Sequence, residues 1–119
     1  MRDEIKRGEV YYANLAPVIG SEQHGENRPV IVIQNNRGNT HSPTIIVAPI
    51  TSKGWRKQKL PTHVRLNGTG ILADTSIALL EQIKTIDRSR IGSYIGTLNE
   101  ESMCHLNKAL AVSVGLKGR

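Results

Sequence analysis

The chain has few of the residues on which several protein classes depend. Cys104 is its only cysteine, so no disulfide can form within the chain, and this favours a reducing cytoplasm. There is no phenylalanine, one tryptophan and three tyrosines, too few for a sheet that stacks several bases on an aromatic platform. No apolar run approaches the roughly 18 residues that a membrane helix needs. The N-terminal "MRDEIKRGEV" lacks the apolar core of a signal peptide.

Sequence motifs of several enzyme classes are also missing. None of the four histidines belongs to a spaced pair of metal ligands. There is no P-loop glycine pattern and no G-x-S-x-G elbow. Cys104 and His105 are adjacent in a predicted helix and face different directions, so Cys104 is interpreted as a helix-face residue and not as a nucleophile. An enzyme built from this sequence would use arginines, hydroxyls and a carboxylate or histidine, with no metal and no cofactor.

The residues that are present suit one folded domain. The 119 residues are too few for two independent cores. A hydrophobic fraction of 38% and a charged fraction of 22% are typical of a folded globular protein. The net charge of +6, from 16 basic and 10 acidic residues, suits nucleic acid or an acidic protein as partner. Many small basic proteins bind neither.

Short runs rich in β-branched residues, separated by turn residues, predict a mainly β protein. Strands are predicted over residues 8–15, 29–35, 43–50 and 62–66, with the turn "NRGNTHS" between the second and the third. Residues 70–86 fit a helix or two short strands, and two strands are favoured. Residues 93–98 fit a strand or the end of a turn.

The C-terminal part has a different pattern, which predicts one helix over residues 99–115. Thr97 and Glu100 have the spacing of a capping box. Strands followed by one helix predict a strongly bent antiparallel sheet or partial barrel, with the helix covering one side. The apolar residues that recur at helical spacing are Met103, Leu106, Leu110 and Val114.

Three segments contain candidate functional residues. The loop "GSEQHGENRP" ends in Arg28-Pro29, and the planar fork of an arginine can clamp a phosphate. A predicted strand ends at Thr51, and a basic loop with one tryptophan follows it, which could track a nucleic-acid backbone. Further along, Glu81 and Gln82 interrupt an apolar run, where they could read base edges or cap a turn.

Each of these residues also has an ordinary structural interpretation. Arg28 could form a surface ion pair with Glu22 or Glu26, worth under about 1 kcal/mol. Thr51 could be a strand-end residue, the basic run a solvated hairpin tip, and Glu81 a turn residue. No single segment is specific for a function.

Taken in order, the segments "GSEQ", "RPV", a strand ending in threonine, "PTHV" and "LEQI" resemble the MazF/PemK/Kid family of bacterial toxin endoribonucleases. The resemblance covers nearly the whole chain, residues 1–119 being one toxin domain, and is greatest to the Gram-positive branch. The loop "SEQHGENRP" is one residue longer than the commoner spacing. The resemblance implies an SH3-like, CcdB/Kid-type small β-barrel that forms a homodimer. It also implies metal-independent, sequence-specific cleavage of single-stranded messenger RNA, with 2′,3′-cyclic phosphate and 5′-hydroxyl ends, and a cognate antitoxin.

The resemblance also assigns roles to individual residues. It implies that Arg28 is the catalytic arginine and Thr51 the catalytic threonine. Glu22 is the candidate general base, with His24 and His63 as alternatives, and His63 is interpreted as more structural than catalytic. The predicted RNA-binding residues are Ser21, Gln23, Ser52, Lys53, Trp55, Arg56, Lys57, Lys59, Glu81 and Gln82.

Two other functions fit parts of the sequence. A non-catalytic nucleic-acid-binding barrel would need only the basic loop, and Arg28 would then position a phosphate. A CcdB-like gyrase poison would carry its function in the C-terminal residues, but "GLKGR" contains no aromatic side chain.

Overall fold

The computed structural model describes residues 4–16, 27–53 and 60–116. In this part of the chain, no helix has the length and apolar character needed to cross a membrane. Single turns of 3-10 helix, Leu80–Gln82 and Arg88–Arg90, precede the last two strands. In chain order, the strands and α-helices are β1 Glu9–Ala13, β2 Arg28–Val32, α1 Asn36–His41, β3 Thr44–Thr51, β4 His63–Arg65, β5 Ile77–Leu79, β6 Lys84–Asp87, β7 Ile91–Thr97 and α2 Glu100–Ser113.

The seven strands form one antiparallel sheet in the order β4-β5-β3-β2-β1-β7, and β6 also pairs with β3. The eight-residue strand β3 pairs with β2 along one edge. Its other edge is shared, because Thr44–Val47 pair with β6 and Ile50–Thr51 pair with β5. One long strand thus belongs to both parts of the sheet, an arrangement by which packed sheets turn corners. The small β-barrel predicted from the sequence is confirmed.

The strands bury side chains on both faces of the sheet. On one face, Leu106 and Ala109 of α2 pack into a cluster that includes Ile31 and Ile50. On the other face, Val30 belongs to a second cluster with Tyr11. Because successive residues of a strand face opposite sides, Val30 and Ile31 of β2 contribute to different clusters.

The strands predicted over residues 8–15, 29–35, 43–50 and 62–66 are confirmed, with ends that differ by a few residues. The two strands favoured for residues 70–86 are present as β5 and β6. The first of them begins at Ile77, well inside the predicted segment, and the second ends at Asp87. The ambiguous segment 93–98 lies largely in β7. Cys104 lies exposed on α2, as its helix-face interpretation predicted.

Two local predictions are wrong. The segment predicted as a turn contains helix α1, because the side chain of Asn35 accepts the Gly38 N–H at 2.8 Å and caps the helix. The predicted capping box of α2 is replaced by Asn99, whose side chain accepts the Ser102 N–H at 2.8 Å. Thr97 instead belongs to β7, where its hydroxyl lies 2.6 Å from that of Tyr94.

Candidate active site

The strand register brings Arg28 and Thr51 together. Arg28 is the first residue of β2 and Thr51 is the last residue of β3. The two strands pair with Val30 opposite Pro49, and extending this register by two residues sets Arg28 opposite Thr51. Directly opposite residues of antiparallel strands project from the same face of the sheet. The predicted catalytic residues therefore lie side by side at one end of two adjacent strands.

The guanidinium of Arg28 has an unused donor. Its Nε is buried and has no hydrogen-bond partner among the described residues. A buried donor left without a partner costs about 1–3 kcal/mol, so an acceptor that reached this nitrogen would gain a hydrogen bond that the protein itself does not make. Glu22 and Glu26, the alternative ion-pair partners, lie outside the described residues.

The hydroxyl of Thr51 is buried and held in place. Thr51 is 4% exposed, and its Oγ1 accepts the Lys53 N–H at 3.2 Å. The turn is fixed further by the Thr75 hydroxyl, which donates to the Ser52 carbonyl at 2.7 Å. A hydroxyl has one proton and two acceptor sites, and the described structure provides no acceptor for this proton. Thr51 can therefore donate to a ligand placed beside Arg28.

A second arginine lies on the same face. Ile77 of β5 is opposite both Thr51 of β3 and Arg65 of β4. Arg28, Thr51, Ile77 and Arg65 therefore form a row across four strands, and strands about 4.8 Å apart give the row a span of roughly 14 Å. Arg65 was not among the residues predicted from the sequence. The available signal was its position in the strand "THVRL", two residues after His63 and therefore on the same face of the strand.

Glu81 lies near this row and is held from two sides. Its Oε1 accepts the Thr62 hydroxyl at 2.8 Å, and its Oε2 lies 3.1 Å from Nε2 of His63. The β4–β5 pairing aligns these groups, because His63 is opposite Leu79 and the Leu80 N–H donates to the Thr62 carbonyl at 3.0 Å. Sequence reasoning did not connect Thr62 and His63 with Glu81, because the two segments meet only through strand pairing.

The proton position on His63 follows from its two contacts. The Leu60 N–H donates to Nδ1 at 3.3 Å, so Nδ1 is the acceptor nitrogen. In the neutral imidazole the proton is then on Nε2, which donates to Glu81. Both ring nitrogens are thus engaged within the protein. This agrees with the interpretation of His63 as a structural residue and not as a general base.

Of the other predicted site residues, some lie in the described ranges and the rest lie outside them. Ser52 and Lys53 are exposed and directly follow Thr51, and Gln82 is half-buried beside Glu81. In the described ranges, no three His, Cys, Asp or Glu side chains form a group that could hold a metal ion. The predicted residues that lie outside the described ranges are Ser21, Glu22, Gln23, His24, Trp55, Arg56, Lys57 and Lys59.

Solved structures define the class of fold. A mycobacterial endoribonuclease in complex with its cognate antitoxin superposes with a TM-score of 0.78 at 24% identity, over 95% of this chain and 97% of that one. MazF from Deinococcus radiodurans superposes with a TM-score of 0.79 at 21% identity, over 96% of this chain and 99% of that one. The fold is therefore the small β-barrel of MazF-type toxins.

Sequence comparison defines the family. The profile of the "PemK-like, MazF-like toxin of type II toxin-antitoxin system" family matches residues 6–114. Endoribonuclease MazF of Staphylococcus epidermidis is 49% identical over 94% of this chain and 92% of its own length. Endoribonuclease EndoA of Bacillus subtilis (strain 168) is 51% identical over 94% of this chain and 96% of its own length. The chain belongs to this toxin family, and the resemblance noted in its sequence is confirmed.

Proposed function

We propose that this chain is a single-domain toxin, residues 1–119, that acts in the bacterial cytoplasm and cleaves single-stranded messenger RNA at specific sequences. The chain is an endoribonuclease, in agreement with relatives of about half identical sequence, and not a CcdB-like gyrase poison. The observation that supports the assignment of its active site is the register of β2 and β3, which on extension sets Arg28 opposite Thr51. The first has a buried Nε without a partner in the described structure, and the second has a hydroxyl that accepts the Lys53 N–H.

The reaction is an internal phosphoryl transfer. The ribose 2′-oxygen attacks the adjacent phosphorus and loses its proton, and the bond from phosphorus to the 5′-oxygen breaks. The 5′-oxygen takes up a proton, which leaves a 2′,3′-cyclic phosphate and a 5′-hydroxyl. Negative charge grows on the non-bridging oxygens, and Arg28 and Thr51 donate to them. Donors fixed in position before the reaction stabilise such charge without reorganisation.

The proton transfers require a second group. A guanidinium is already protonated at neutral pH and is therefore a poor base. His63 is not the proposed base, because its Nδ1 accepts from the Leu60 N–H and its Nε2 lies against the Glu81 carboxylate. Glu22 is the proposed base, with His24 as the alternative. Arg28 is the proposed acid at the leaving 5′-oxygen.

The RNA is proposed to run over the row that ends in Arg28 and Arg65. Cations beside the row supply the non-specific affinity that phosphates require. Glu81 and Gln82 contact bases, and Trp55 supplies one stacking surface. The other proposed RNA contacts are Ser21, Gln23, Ser52, Lys53, Arg56, Lys57 and Lys59.

The toxin is proposed to be a homodimer that a cognate antitoxin inhibits. Val114 and Leu116, at the end of α2, are exposed apolar residues that a partner would cover. The net charge of +6 suits both RNA and the acidic tail of an antitoxin. If both occupy one groove, they compete by mass action. One similar solved structure is an endoribonuclease bound to its cognate antitoxin.

The test is cleavage of a long, defined single-stranded RNA by the purified toxin. We expect discrete products with cyclic phosphate and 5′-hydroxyl ends, at the same rate with and without EDTA. Addition of the antitoxin should stop the reaction. Tight RNA binding without any product would instead favour the non-catalytic barrel, and inhibition by EDTA would contradict the metal-independent mechanism.

A further inference from the structure

We propose that Thr62 and His63 are positioning residues that hold the Glu81 carboxylate as an acceptor for a base with an exocyclic amino group, and so help to set the cleavage sequence. This inference rests on the proposed function, because it assumes that RNA lies on the row from Arg28 to Arg65. It adds to the proposed function two residues that support Glu81 without touching RNA. It also names the chemical class of base that Glu81 accepts.

The carboxylate of Glu81 is held at both oxygens. Thr62 is 9% exposed, and its hydroxyl donates to Oε1 at 2.8 Å. The side chain of His63 is 4% exposed, and its Nε2–H donates to Oε2 at 3.1 Å. With each oxygen bound from the protein side, the carboxylate cannot rotate without losing a hydrogen bond. The lone pairs that remain have fixed directions.

The same carboxylate is open to a ligand. The side chain of Glu81 is 31% exposed, whereas that of His63 is almost fully buried. The neutral imidazole of His63 makes a hydrogen bond with this carboxylate, and not an ion pair. Binding sites typically hold the group that contacts the ligand in place with hydrogen bonds from residues that do not contact it. Thr62 and His63 stand in this relation to Glu81.

The position of Glu81 favours a base over a phosphate as its ligand. Ile77 is opposite Thr51, and Glu81 follows Ile77 by four residues, roughly 10 Å further along the chain direction at strand and 3-10 rises. This places it near the cleaved bond but not at it. A carboxylate repels a phosphate that comes close to it and accepts hydrogen bonds, so the RNA group that suits Glu81 is a hydrogen-bond donor.

The chemistry of the carboxylate selects among bases. An ionised carboxylate only accepts hydrogen bonds, and the amino group of an unstacked base is a matching donor, as in the pairing of Glu with the cytosine amino group. Uracil has no amino group, and the two carbonyl oxygens that flank its N3–H repel a carboxylate. Glu81 therefore favours adenine, cytosine or guanine over uracil at one position of the RNA.

The test compares four variants with the wild-type toxin on RNAs that differ by one base at each position around the mapped cleavage site. Thr62→Val and His63→Phe keep the shape of the side chain and remove the donor. Thr62→Ser restores a hydroxyl, and Glu81→Gln keeps the shape of the side chain and removes the charge. The measured quantity is kcat/KM for each RNA, with thermal melting of each variant as the check on folding.

We expect the wild type to prefer an amino-bearing base over uracil at one position, by about tenfold or more. Thr62→Val, His63→Phe and Glu81→Gln should reduce this ratio several-fold at that position only, and Thr62→Ser should retain it. An equal loss on all RNAs, or an unchanged ratio in Glu81→Gln, would overturn the inference while leaving the ribonuclease assignment intact. A folded wild-type toxin that cleaves none of the RNAs would overturn the proposed function and this inference with it.

Discussion

The register of β2 and β3, extended by two residues from the Val30–Pro49 pair, sets Arg28 opposite Thr51 at the ends of the two strands. The two side chains differ in their hydrogen bonds within the protein. The Nε of Arg28 is buried without a partner in the described structure, whereas Oγ1 of Thr51 is fixed by the Lys53 N–H. Because a phosphate oxygen accepts from both kinds of donor, we propose that the pair stabilises the charge of a phosphoryl transition state.

Arg28→Lys should separate the charge of this residue from its geometry. Lysine keeps the positive charge but lacks the planar fork and the Nε–H. We expect single-turnover cleavage to fall on the order of 10²- to 10³-fold, with a melting temperature equal to or above that of the wild type because the unpaired buried donor is removed. A folded Arg28→Lys toxin with a nearly normal rate would contradict the proposed mechanism.

Thr51→Val should show whether the hydroxyl acts on the substrate. Valine matches threonine in shape, so the buried packing is kept while the donor is lost, and we expect cleavage to fall on the order of 10²-fold. Removing the acceptor of the Lys53 N–H should cost about 1 kcal/mol of stability. Thr51→Ser is the matched control and should retain most of the activity. Equal rates for the valine and serine variants would show that the hydroxyl is not used.

Leu106→Ala should destabilise the fold without touching the site. Leu106 of α2 is fully buried in the cluster under the sheet, and such a truncation typically costs about 2–5 kcal/mol. Urea unfolding measures this loss. Cys104→Ala, on the exposed side of the same helix, should stay within about 0.5 kcal/mol of the wild type. Similar values for the two variants would argue against the described packing of α2.

Ser89→Ala should change the titration of Asp87. The side-chain and backbone hydrogen bonds from Ser89 lower the pKa of the Asp87 carboxyl, with a smaller contribution from the charge of Arg90. A lowered pKa stabilises the fold above the unfolded-state value, about 3.9, and this stabilisation is lost as the pH falls through the folded-state pKa.

An NMR titration of Asp87 checks this expectation. In Ser89→Ala the pKa of Asp87 should rise toward its ordinary value, because the largest cause of the shift is removed while the backbone hydrogen bond can remain. Lys84→Ala, a change in the same strand β6, is the control and should leave the Asp87 titration unchanged. An unaltered Asp87 titration in Ser89→Ala would show that Ser89 is not the cause.

Local sequence patterns determined much of this fold. Strands β1, β2, β3 and β4 were predictable because their β-branched runs carry a strand signal within a few residues. Helix α2 was predictable from its apolar spacing, but its cap was not. Asn99 and Thr97 are both good capping residues, and the choice between them depended on the pairing of β7 with β1, which takes Thr97 into the strand.

The candidate site, like the fold, was predictable from the sequence only in part. Arg28, Thr51 and Glu81 could be proposed from the sequence alone, because each lies in a short motif next to a predicted strand. That Arg28 faces Thr51, that Arg65 continues their row, and that Thr62 and His63 hold Glu81 depended on the register between segments far apart in the chain. A shift of one residue in that register would turn these side chains to opposite faces, and only the packed sheet decides it.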